Sequence, residues 1–567
     1  TATVMVSPSN PATQQFQAFG ALAGGAEQDI TNTVSWSTDR PALATTTGGL
    51  ATTSSFAGGQ VVIRAQSGAV SGTARLLIKF TTTNLADGPG ANPPLPTAIA
   101  TPFAGTVDPA RAPELVYPNN GVLLPPNLNG VEVHFRAGSP ANTLFEIGFQ
   151  NDATDVRVYT RCVPLADGCL YQPTPTVWQQ IAETNRGGGA VKVSVRGTDD
   201  AGTGVGGSGV TNIQFSKDDV RGALYYWTTS KPSAILRWDF GSTTQTKAEE
   251  VITPAAGDGK TCVGCHAISR DGKKMVATLG GQNDGRVLLW DLGGKRRMAF
   301  DPVPQQRSQF ESWNPDGSEF VGMYTDDRKA GPSNLIIFDG TTALKKSEID
   351  LGGLRADHPD WSPDGARIVF TSADPGGAFT DQKPERAGLA FVERNGVGWS
   401  APTTLLPAVA GKNRFYPAIA PNNAFIVFNE STCAGTNVES CDGDADPSAQ
   451  MFAMPLVPGA SPTPLANANR PGLADKGETN LMTSYPKWSP FVFQLNEEHQ
   501  IMWATVSSTR KYGLRQDTAG MSLWMFAIDP SGVGAADPSF PAFCLPFQDL
   551  KTSNHIAQWT TSVPVVQ

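Results

Sequence analysis

His358-Pro359-Asp360-Trp361-Ser362-Pro363-Asp364-Gly365, followed by Ala366-Arg367-Ile368-Val369-Phe370-Thr371, decides the fold. Pro363 fixes φ for a turn, Asp364 supplies a side-chain cap, and Gly365 supplies the positive φ that closes it. An apolar, β-branched run follows at once, so the stretch reads as strand, tight turn, strand. It returns along the chain. Trp313-Asn314-Pro315-Asp316-Gly317 precedes Glu319-Phe320-Val321-Gly322-Met323-Tyr324, and Ile419-Ala420-Pro421-Asn422-Asn423 precedes Phe425-Ile426-Val427-Phe428. Trp488-Ser489-Pro490 opens a longer, irregular copy, and Ser269-Arg270-Asp271-Gly272 precedes the run 275–279. A second apolar strand follows each copy, as in Val287-Leu288-Leu289-Trp290-Asp291 and Asn334-Leu335-Ile336-Ile337-Phe338-Asp339.

The spacing is about one β-propeller blade. The stretch 358–365 resembles the TolB-type propeller repeat, whose signature is His-Pro-x-Trp-Ser-Pro-Asp-Gly, and the other copies match it in part. The resemblance covers most of 260–530 and implies a fold rather than an activity. Repeat starts fall near Cys265, Phe310, His358, Tyr416 and Tyr485. A sixth lies near His555, in Asn554-His555-Ile556-Ala557-Gln558-Trp559-Thr560-Thr561, without the Pro-Asp-Gly turn. The strands expected at 222–227 and 234–239 lack an inner partner. The C-terminal segment is expected to supply it, closing a ring of six blades.

One repeat start carries a second pattern. Cys262-Val263-Gly264-Cys265-His266 is the Cys-x-x-Cys-His attachment signal of a c-type haem, in which two thiols add to the vinyl groups and the histidine lies under the iron. Cys262 and Cys265 are therefore the expected thioether residues of a covalent haem c, and His266 the proximal iron ligand. Three other readings stay open: a disulfide within the motif, a zinc site, and a thioredoxin-like redox pair. Zinc would need a second ligand pair and thioredoxin a βαβ context, and the sequence offers neither. For the distal side of the iron His555 is the candidate, because it begins the neighbouring closing strand; His358, Met482 and Met323 are alternatives, and His499 reads as solvated. A vacant distal side would favour catalysis over electron transfer. Asp442, Asp444 and Asp446 have the Asp-x-Asp-x-Asp spacing of calcium loops, but lack the glycine and closing glutamate of an EF-hand, so a solvated acidic loop competes with Ca2+.

Upstream, Trp36-Ser37-Thr38-Asp39-Arg40-Pro41-Ala42-Leu43-Ala44-Thr45 and Gly48-Gly49-Leu50-Ala51-Thr52 resemble bacterial Ig-like (group 2) domains, which implies a spacer or adhesive sandwich over 1–82. The stretch 83–112, with Pro89, Pro93, Pro94, Pro96 and Pro102, reads as a semi-stiff linker. Residues 113–219 read as a second sandwich, loosely like fibronectin type III, in which His134 is structural. The propeller occupies 220–567.

Gly (59) and Pro (44) punctuate the 567 residues, which favours an all-β protein: two sandwiches and a six-bladed propeller. A net charge of −9 without a basic stripe argues against nucleic acid. No apolar run approaches the ~20 residues that span a bilayer. The start at Thr1 has the look of a processed chain. Of seven cysteines, Cys162/Cys169 and Cys433/Cys441 each bracket a short loop and read as disulfides, while Cys544 reads as a small apolar residue. That usage favours a periplasmic or extracellular protein. The functions expected are haem electron transfer with a redox partner protein or a small-molecule donor or acceptor, a haem oxidoreductase working in the channel, or a haem-free envelope scaffold. Ig-like domains also raise a homo-oligomer or envelope assembly.

Overall fold

The computed structural model describes residues 1–21, 24–86, 93–128, 130–230, 232–257, 263–279, 284–303, 306–324, 334–373, 379–380, 383–384, 386–432, 446–516 and 520–563. The chain falls into two compact units, Thr1–Asp219 with Gln494–Glu498, and Val220–Phe493 with His499–Gln567.

In the first unit one sheet runs through both stretches read as sandwiches. The reason is the 17-residue strand Val70–Ala86. Its first half pairs antiparallel with Gly59–Ser67, and its second half, Phe80 to Ala86, lies parallel to Thr154–Thr160. The stretch 83–112, expected as a linker, thus begins as strand. Further on it forms short 3-10 turns at Thr101–Ala104 and Pro109–Arg111, and Ile99 and Phe103 pack with Leu144, Tyr159 and Val205. Backbone hydrogen bonds and apolar burial outweigh the proline content there. The sequence reading also missed a helix, Pro175–Asn185. Thr174 caps it by accepting from the Val177 amide, Pro175 takes the first turn, and Trp178 is buried with its indole N–H donating to Leu128 O at 2.6 Å. His134 is structural as expected: it is buried, with Nε2 2.8 Å from Glu132 Oε2.

The second unit is the propeller. Among the described residues six sheets of four or more strands follow one another. Their innermost strands are Asn554–Thr560, Val263–Ile268, Gln309–Trp313, Arg355–Trp361, Asn413–Ile419 and Ser484–Trp488. The ring closes as expected: Asn554–Thr560, at the C-terminal end, pairs antiparallel with Ala223–Thr228, from the start of the unit. The turns are built by the predicted residues. Asp364 Oδ1 accepts from the Ala366 amide at 2.9 Å and Asp316 Oδ1 from the Ser318 amide at 2.8 Å, while Gly317 and Gly365 sit at φ 70 and 76°. The core lies between blades rather than on the axis. Ala267, Val276 and Leu289 of one blade meet Trp313, Phe320 and Phe338 of the next. Indole N–H groups tie blades together: Trp313 donates to Ala267 O and Trp488 to Ala418 O, both at 3.0 Å.

Candidate functional site

Every innermost strand of the propeller carries a β-bulge at the same repeat position. The first bulged residue has positive φ in all six: Cys265 (44°), Phe310 (50°), His358 (45°), Tyr416 (47°), Tyr485 (54°) and Ile556 (49°). A left-handed non-glycine residue costs roughly 1–2 kcal/mol, so six in register are held by the ring closure itself. A bulge sets two residues against one on the partner strand and re-aims their side chains. Here both bulge residues of most blades turn onto the central channel.

The left-handed residues form a collar. Ring centroids stand 4.3 Å apart for Phe310 and His358, 3.9 Å for His358 and Tyr416, and 4.3 Å for Tyr416 and Tyr485. Ile556 packs with them. In the blade of the Cys-x-x-Cys-His pattern the collar residue is Cys265, so the aromatic arc is interrupted there. The empty space at this level, counted out to open solvent, is about 390 Å3.

The second bulge position is Pro359, Pro417 or Pro486 in three blades, but His266 and Glu311 in two neighbours. Both are buried, at 2% and 4% exposure. Neither ring nitrogen of His266, and neither carboxylate oxygen of Glu311, has a hydrogen-bond partner of normal geometry among the described residues. Burial, with the Lys487 charge, pushes His266 down to about 4; the Tyr225 backbone favours the protonated ring but is outweighed. Burial likewise pushes Glu311 up to about 7, against weaker pulls from the hydroxyls of Ser308 and Thr278. His358 is held well below its ordinary value by burial and by the Lys487 charge. At neutral pH the channel is thus lined by a neutral imidazole beside a thiol, a carboxyl poised near its midpoint, and the Lys487 side chain. At position 264 only glycine fits without movement of its neighbours: a Cβ on Gly264 would lie 2.9 Å from the Trp227 ring.

The other expected residues lie as follows. Cys262, Asp442, Asp444 and the Cys433/Cys441 pair fall outside the described residues. Asp446 is buried and caps a turn, accepting from the Ser448 amide at 2.8 Å and its hydroxyl at 2.7 Å. Among the described residues no group of three His, Cys, Asp or Glu side chains is placed to hold a metal ion. His555 is on the closing strand beside the collar, but Ile556 lines the cavity in its place; His555 Nε2 lies 2.9 Å from Ser553 Oγ and its ring tilts against Trp227. Met323 packs in the core between two blades and does not line the cavity. His499 is exposed, with Nδ1 3.7 Å from Asp529 Oδ2. The disulfide Cys162–Cys169 is formed, and Cys544 is buried beside Gln548. No described helix is long and apolar enough to cross a membrane.

Glu311, Lys487 and Arg270 were missed from sequence. For two of them the signal was present, as a break in a column of the repeat: Glu311 stands where three blades have proline, and Arg270 where four have Pro315, Pro363, Pro421 and Pro490. Lys487 stands in a mixed column with Ala267, Ser312, Asp360, Ala418 and Gln558, which carries no such signal.

No protein-family model matches the chain, and no curated protein matches it. Solved structures similar to it include TolB from Acinetobacter baumannii, at 13% identity and a TM-score of 0.36, covering 65% of this chain and 79% of that one. The β-propeller domain of Myceliophteria thermophila Cps50 (Swd1) matches at 8% identity and a TM-score of 0.32, covering 55% and 80%. An oligogalacturonate lyase in complex with manganese matches at 13% identity and 0.29, covering 55% and 72%. At these identities and scores nothing of those proteins' activities passes to this chain.

Proposed function

We propose that the propeller carries one covalent haem c and transfers electrons, with Cys262 and Cys265 as the thioether residues and His266 on the iron. The observation that carries this reading is the His266 ring: buried, neutral at pH 7, and without a hydrogen-bond partner of normal geometry at either nitrogen. A buried polar side chain is normally satisfied, and an orphaned imidazole is what an iron ligand leaves when its metal is not there. The donor set therefore fits: a neutral imidazole directly follows a buried thiol, at the spacing the attachment chemistry needs. When bound, the group would supply one-electron chemistry. The chain's own contribution is to hold the His266 ring between strands, to exclude water from it with the Phe310, His358, Tyr416 and Tyr485 collar, and to keep it unprotonated through burial and the Lys487 charge. Buried ligands and nearby cations both tune a potential. An exported location accompanies this reading and is supported by the Cys162–Cys169 disulfide.

The test is the visible spectrum of protein made in a host competent in cytochrome maturation. A Soret band that survives acid-acetone extraction is expected, and it should be lost from Cys262→Ala/Cys265→Ala. A six-coordinate low-spin form favours electron transfer, and a high-spin form favours the oxidoreductase. His555→Ala decides the distal side: a changed spectrum assigns it, an unchanged one removes it. A colourless wild type refutes the haem and leaves the scaffold reading.

A further inference from the structure

The channel has a second mouth, at the far end of the innermost strands from the collar. Its empty space, counted out to open solvent, is about 650 Å3. Two cations line it. Arg270 takes the turn position that is proline in four other blades, so one blade alone sends a guanidinium into this mouth. Lys487 enters from the blade on the far side of the closing blade from Arg270's, one residue before Trp488. Neither side chain makes a hydrogen bond or ion pair among the described residues, although Arg270 is partly buried.

The nearby acids do not neutralise them by contact. Asp360 and Asp364 act on Arg270 only through space. Asp360 is occupied, with Oδ2 accepting from the Ile419 amide at 2.8 Å and Oδ1 from the Ser312 hydroxyl at 3.2 Å. Asp364 likewise caps its own turn. Glu311 lines the deep end. The walls are indoles: Trp313, Trp361, Trp488 and Trp559. Their N–H groups are already used, on Ala267 O, Gly365 O, Ala418 O and Thr505 Oγ1. What the four rings offer a ligand is apolar surface.

We propose that this mouth binds a small organic oxyanion, a carboxylate or a phosphate ester, with the charged group on Arg270 and Lys487 and an apolar body on the tryptophan faces. A half-buried cation with no partner favours an anion that can make charge-assisted hydrogen bonds, and the arginine fork suits a two-oxygen group. The site does not rest on the haem reading, because none of its residues belongs to the Cys262–His266 pattern.

The experiment is calorimetric titration of the full chain at low salt with benzoate, phenyl phosphate and the neutral benzamide. At least one anion should bind tenfold or more tighter than benzamide, and whichever does names the source of the oxyanion. Raised salt should weaken it. Arg270→Gln and Lys487→Gln should each cost about tenfold or more in affinity, with unchanged unfolding midpoints. Arg270→Pro restores the residue of the sister blades and is the second variant should Arg270→Gln fold poorly. The proposal is overturned if neither anion exceeds benzamide, or if binding survives removal of both cations.

Discussion

Replacing Glu311 by glutamine keeps the shape of the side chain and removes its charge. The carboxyl is buried, lacks hydrogen-bond partners of normal geometry, and is pushed from 4.5 up to about 7. A raised acid means that the folded state holds its proton after the unfolded state has lost it. Stability is then fully present below about 4.5 and is lost as pH rises toward 7. At 1.36 kcal/mol per unit, the loss is about 3 kcal/mol between pH 4.5 and 8. His266 works in the opposite sense. Its lowered value contributes stability above 6.5 that is lost as pH falls toward 4, so the two slopes oppose each other in wild type between 4.5 and 6.5. Subtraction separates them, since His266 is common to both proteins. Urea unfolding followed by tryptophan fluorescence is a fitting assay: of the 12 tryptophans only Trp36 and Trp178 lie outside the propeller unit, leaving 10 within it. The buried amide introduced by Glu311→Gln adds a constant offset of about 1–3 kcal/mol, which does not vary with pH. The stability of Glu311→Gln relative to wild type should climb by about 3 kcal/mol from pH 4.5 to 8. Parallel profiles would refute the reasoning, and would mean that Lys487 or water solvates the carboxylate.

Gly222→Ala should destabilise the propeller by roughly 2 kcal/mol or more, because Gly222 sits at φ +84° and a Cβ would lie 2.1 Å from Thr560 O on the closing strand; a thermal midpoint within a degree of wild type would contradict this. Cys162→Ser/Cys169→Ser should cost about 2–3 kcal/mol from the entropy of an eight-residue loop, and reduction of the denatured wild type should release two more thiols than reduction of the denatured double variant; an equal release from both would disprove the bridge.

The repeat was legible because its information is local. Pro-Asp-Gly fixes a turn from three adjacent residues, and period-two apolar runs on either side declare strands, whatever the rest of the chain does. Counting those turns located Cys265, Phe310, His358, Tyr416 and Tyr485, the very residues found at positive φ, and the unpartnered early strands called for the C-terminal one. Other features needed the closed ring or long-range pairing. No local rule extends Val70–Ala86 from one partner strand to another, since its register with Thr154–Thr160 depends on residues about 70 positions away. The sixth collar position is Ile556 rather than His555, because a bulge shifts register by one residue and turns each side chain to the other face. Lys487, Glu311 and His266 share one channel only because blades far apart in sequence meet at the axis, and it is that burial, absent from any single strand, that sets their charge states.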